Sequence, residues 1–162
     1  MAAADVHFDD SRDGRRILIA GATVGVLDAL FVIVTYVWIK DVTTSQRIFQ
    51  GIAAGLLGKG SFQGGAGTEL LGVILHFTIA FTWTFIYFIV SRRRTGIRRW
   101  VQSRRGAAIA GPLWGIVMWL GMDLLVVPLS HARPTPVGSG TFWFFMLQHA
   151  VMLGPAIVWI VR

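Results

Sequence analysis

Four long apolar runs dominate the chain, at residues 17–39, 68–90, about 106–129 and 142–161. Each is about 20 to 24 residues long, the length a helix needs to cross the hydrocarbon core of a bilayer with modest tilt. Lipid offers no partner to exposed backbone polar groups, so a segment that spans it folds as a helix. Across the 162 residues only 14% are charged and 54% are hydrophobic, against about a quarter charged in an ordinary soluble domain. The expected fold is an all-α, integral-membrane four-helix bundle. Residues 1–16 form a polar tail before a single domain over 17–162, which leaves no room for a sizeable soluble catalytic domain. The first run is too long for the apolar part of a signal peptide and no small-residue cleavage site follows it, so it is expected to remain as a span.

Direction follows from the arginines. The link between the second and third runs, SRRRTGIRRWVQSRR, holds seven of them, and Arg12, Arg15 and Arg16 flank the first run. Short cytoplasmic segments carry the Lys and Arg excess, so both termini are expected inside. Trp38 and Trp143 then stand at outer ends and Tyr87 and Trp159 at inner ends, where interfacial aromatics belong. The net charge of +7 is accounted for by topology and anionic headgroups, and nucleic acid is not an expected partner. With no cysteine in the sequence, disulfides, thiolate metal sites and Cys nucleophiles are excluded.

The first outer loop, residues 40–67, carries Ile48, Phe49, Ile52, Ala53, Leu56 and Leu57 at helical spacing with Arg47 and Gln50 opposite. Thr43, Thr44 and Ser45 can cap its start, and the glycines around Lys59 end it. The spacing predicts a short helix over about 45–58, lying in the outer interface. Close approach between spans needs small residues. Gly21 with Gly25 and Gly111 with Gly115 mark two seams, and Gly72 shares a face with His76 and Ala80. Pro112 is expected near a helix start, where proline is tolerated; Gly154–Pro155 is expected to loosen the fourth span.

Each span supplies one Asp or His, namely Asp28, His76, Asp123 and His149, with Gln148 beside the last. A charge at mid-bilayer costs about 2.5 to 3.5 kcal/mol on insertion scales, which makes such residues functional candidates. Counted at about 1.5 Å per residue, the four fall in the outer half of the bundle. They can join the helices by hydrogen bonds, pass protons or bind a metal. His76 and His149 are candidate metal or haem ligands, and Trp83, Trp114 and Trp119 either line a pigment or lipid pocket or face acyl chains. No phosphate loop, HExxH or GxSxG motif is present, and Ser130–His131 has no evident acidic partner. No enzyme activity and no bound cofactor are therefore expected.

The stretches RIFQGIAAGLLGKGSFQGG, LLGVILHFTIAFTWTFIYFIVSRR and WLGMDLLVVPLS resemble a group of small uncharacterised four-helix bacterial inner-membrane proteins. That resemblance implies a bacterial inner-membrane location and assigns no role to any residue. The functional expectation is a non-catalytic accessory subunit packed against a larger, energy-transducing membrane complex or against itself. The alternative is an oligomeric proton- or ion-coupled transporter using Asp28, His76, Asp123 and His149, since four spans alone are few for a transport path; a haem- or metal-binding redox protein comes third.

Overall fold

The computed structural model describes residues 10–93 and 95–162. They form an all-helical bundle: α1 (Asp10–Ile33), α2 (Ser45–Leu57), α3 (Gly65–Arg92), α4 (Thr95–Gln102), α5 (Arg104–Gly121), α6 (Gly140–Gln148) and α7 (Gly154–Val161). Three spans contain a wider π-helical turn, at Val34–Ile39 after α1, at Met122–Val126 after α5, and at His149–Leu153 between α6 and α7. Four continuous helices, Ser11–Ile39, Gly65–Arg92, Arg104–Val126 and Gly140–Val161, are long and apolar enough to cross a membrane. This is a multi-pass membrane protein.

The helices extend past the apolar runs for local reasons. The tail expected over residues 1–16 gives its last seven residues to α1, where Asp13 is buried and accepts a 2.7 Å hydrogen bond from Arg92 of α3; residues 1–9 and Arg94 lie outside the described residues. Ser103 and Ser139 cap α5 and α6 by accepting from the backbone of Gly106 and Phe142, as N-cap serines do. Because α5 starts at Arg104, Pro112 stands inside it rather than near its start. The third span ends at Val126, short of the expected 129, two residues before Pro128, which has no backbone donor to continue the ladder.

Around the bundle, α1 packs on α3 and on α7, while α5 packs on the fourth span. The glycines mediate the closest approaches. A methyl group on Gly115 would overlap the His149 carbonyl, and one on Gly154 would overlap the Gly111 carbonyl. At Gly21 and Gly25 the nearest atoms are side chains, and the rings of Phe81 and Phe77 fill their notches. Gly72 abuts the backbone of Phe49 in α2, so it seats that helix rather than joining two spans. Between α3 and α5 the contact is aromatic: Trp83 and Tyr87 set their ring centroids 6.0 and 5.3 Å from that of Trp114. Tyr87 is thus buried in the core and is not an interfacial anchor.

One end of the bundle is capped by α2. Thr44 caps its start, and Gly58 (φ +64°) ends it in the left-handed region that favours glycine. Contrary to the expected solvent-facing position, Gln50 is buried; its amide donates to the Gly65 carbonyl and to Thr68. The small residues Ala53 and Ala54 are buried beside it, while Leu56 and Leu57 remain exposed. The backbone N–H of His131 donates to the Gly55 carbonyl at 2.9 Å and ties the loop after α5 to α2. At the opposite, arginine-rich end, the link read as a loop contains α4. Ile97, Trp100 and Val101 recur there at helical spacing between arginines, and Val101 is buried.

Candidate functional site

Asp28, His76, Asp123 and His149, one from each span, all line one cavity of about 520 Å³ beneath α2. Its walls are mainly apolar, with Val24, Val32, Ile79, Met118 and Val126 from the spans and Ile48, Phe49 and Ile52 from α2. The stripe read on α2 therefore closes the cavity from above. Two of the three π-helical turns carry a polar lining residue, Asp123 and His149. Such turns interrupt the regular ladder and recur at functional sites. At His149–Leu153 the cause is local: Pro155 offers no N–H to the preceding turn.

The polar residues are held separately rather than as one hydrogen-bonded cluster. Asp28 is half-buried and accepts a 3.0 Å hydrogen bond from the Gln148 amide, joining the first and fourth spans. Asp28 and His149 also interact electrostatically. His76 Nε2 donates to the Gly25 carbonyl at 2.8 Å, in the notch beside Phe77. His149 Nδ1 donates to the Phe145 carbonyl one turn back at 2.9 Å, and its ring lies 5.2 Å from Trp119, which also stacks on Phe145. Asp123 is buried not by a helix seam but by the loop after α5, whose Thr135 N–H donates to Oδ1 at 3.2 Å. Arg133 of that loop lines the rim, exposed and without an ion pair among the described residues.

Several buried polar atoms have no protein partner: Asp123 Oδ2, Gln148 Oε1 and Trp119 Nε1. An unpaired buried polar group costs about 1–3 kcal/mol, so these atoms call for a ligand or ordered water. Asp123 and Trp119 both line the cavity. As for the metal and haem alternative, His76 already uses Nε2 on Gly25, leaving Nδ1, whereas His149 has Nε2 free. Among the described residues no three His, Cys, Asp or Glu side chains converge as a ligand set.

A second, shallower groove of about 300 Å³ lies between α3 and α5 and shares Ile79, Trp83, Met122 and Val126 with the first. It opens on a face carrying exposed Ile86 and Leu125, so the cavity adjoins the lipid-facing surface through Trp83. Trp83, Trp114 and Trp119 thus turn inward, a placement that composition alone left open. Toward the arginine-rich end the interior is filled by Phe88, Leu153, Ile157, Val158 and Val161, each at most 2% exposed.

Comparison with known protein families, with curated proteins and with solved structures finds no match. If His76 serves as interhelical glue, His76→Ala is expected to lower stability by about 0.6 kcal/mol, the mean for such bonds in a membrane. Unfolding in mixed detergent micelles, followed by circular dichroism, checks it.

Proposed function

We propose that this chain is a non-catalytic membrane protein that holds a small, largely apolar molecule in the cavity beneath α2. The observation that carries the reading is the combination of about 520 Å³ of mainly apolar space with buried, unpartnered polar atoms on Asp123 and Trp119. Ligand sites have this composition, an apolar body with a few polar groups that fix orientation. The lateral groove at Trp83 supports entry from the bilayer, which suits a lipophilic molecule. The arginine-rich end faces the cytoplasm in this reading, by the charge rule, and the membrane is a bacterial inner membrane. There α2 lies in the outer interface, and the cavity opens outward.

Such a protein can work as a small accessory subunit that holds or presents its molecule to a larger membrane assembly. Leu30, Leu70, Val117 and Val151, all exposed on the spans, would meet lipid or neighbouring subunits. Ion-coupled transport would require the filled half around Phe88 and Ile157 to open, which weighs against conduction through one copy. Native mass spectrometry of the protein released from a mild detergent tests the reading. Wild type is expected to carry a bound small molecule, and Ala29→Phe, which fills the cavity wall, is expected to lose it. Identical, ligand-free spectra after exposure of both proteins to apolar molecules would sink the idea.

A further inference from the structure

We infer that the molecule is a lipophilic cation, an organic ammonium or onium group on an apolar body; this rests on the cavity being a ligand site. Two carboxylates, Asp28 and Asp123, line the apolar space against one guanidinium, Arg133, on the rim. Arg133 is exposed and pairs with neither carboxylate, so water screens it far more than it screens the buried Asp123. Neither carboxylate forms an ion pair among the described residues. Asp28 accepts from a neutral amide and Asp123 from a backbone N–H, and Asp123 Oδ2 has no partner in a side chain only 4% exposed. A buried anion of this kind is stabilised by a counter-charge.

The rest of the lining fits the same ligand. Phe49, Trp83, Trp119 and Phe145 surround the space, and aromatic faces attract organic cations, most strongly when both are removed from water. Each imidazole donates one ring N–H to a carbonyl, and neither forms an ion pair with Asp28 or Asp123. An anionic ligand would face two carboxylates with one exposed arginine as its partner. A neutral one would leave the buried Asp123 carboxylate without a counter-charge.

Equilibrium binding of tetraphenylphosphonium to the full chain in nanodiscs, corrected for empty nanodiscs, tests the inference, with tetraphenylborate as the anion of matching shape and triphenylmethane as the neutral probe. The phosphonium is expected to bind wild type in preference to the borate. Asp28→Asn keeps a hydrogen-bonding partner for Gln148 and removes the charge, and it is expected to weaken phosphonium binding by about tenfold or more. Asp123→Asn is expected to act in the same direction and Arg133→Gln in the opposite one. Borate binding as tight as phosphonium binding, or Asp28→Asn and Asp123→Asn both binding like wild type, would overturn the inference. Binding of triphenylmethane alone, abolished by Ala29→Phe, would overturn it while leaving the apolar ligand site intact. No binding of any probe would remove both. Competition by phosphatidylethanolamine, against nanodiscs of phosphatidylglycerol only, identifies a lipid amine as the cation's source, and its absence identifies a free organic cation; either result upholds the charge preference.

Discussion

Gly115→Val is expected to abolish the folded bundle. On this backbone the first added carbon would overlap the carbonyl of His149, and Ala150 Cα would stand 2.7 Å away. Neither obstacle is a flexible side-chain tip, so the third and fourth spans would have to separate. The same seam holds Gly111 2.8 Å in virtual Cβ distance from Pro155 Cα, and Gly154 against the Gly111 carbonyl, which leaves no direction for relief. Overpacking a core costs about 1–3 kcal/mol where side chains can adjust; a backbone collision should meet or exceed the top of that range. In a membrane this contact has no hydrophobic drive behind it and depends on close packing. Gly51→Ala in α2 is the control, because nothing lies within 4 Å of the added methyl, and it should be neutral or stabilising by about 0.5–1 kcal/mol. Denaturation in mixed micelles separates the two outcomes.

The second large effect is expected at the arginine-rich end. Asp13 and Arg92 form a 2.7 Å ion pair whose side chains are 5% and 13% exposed. Removing one member leaves the other charge desolvated, a loss of about 3–5 kcal/mol for a buried pair. Asp13→Ala should therefore destabilise the protein strongly. Replacing both members, Asp13→Leu with Arg92→Met, should recover most of the loss, since an apolar pair of similar volume has no charge to strand. A double-mutant cycle on the unfolding midpoint measures the coupling. An Asp13→Ala variant as stable as wild type would show that the pair contributes nothing to docking α1 on α3.

How much was legible beforehand depends on whether the cause was local. The four spans were readable because each is an uninterrupted apolar run, and composition alone forces such a run into a helix in lipid. Their ends were less so. Asp10–Arg16 reads as a polar tail until Arg92, 79 positions from Asp13, is known to lie beside it. The helix at Thr95–Gln102 had a visible signal in Ile97, Trp100 and Val101, hidden among arginines that the charge rule already explained. The polarity of Gln50 argues for solvent, whereas its partners, Gly65 and Thr68, stand in the first turn of α3.

The candidate site divides in the same way. One Asp or His per span could be read from the sequence. Which groups meet could not. The Gln148–Asp28 bond joins residues 120 positions apart, and Asp123 is covered by a proline-rich loop whose return path has no periodicity to reveal it. The phenylalanine rings in the Gly21 and Gly25 notches, and the cavity left beneath α2, are products of helix register.

Because the native chain lacks cysteine, a single introduced thiol reports access to the cavity directly. Ala29→Cys places one on the α1 wall of the cavity, and a membrane-impermeant, cationic methanethiosulfonate reagent can be applied to either face of sealed vesicles. Modification from the α2 side only, slowed by a bound lipophilic cation, is the predicted result. A thiol that reacts from the arginine-rich side, or that stays unreactive from the α2 side, would contradict an outward-opening ligand cavity.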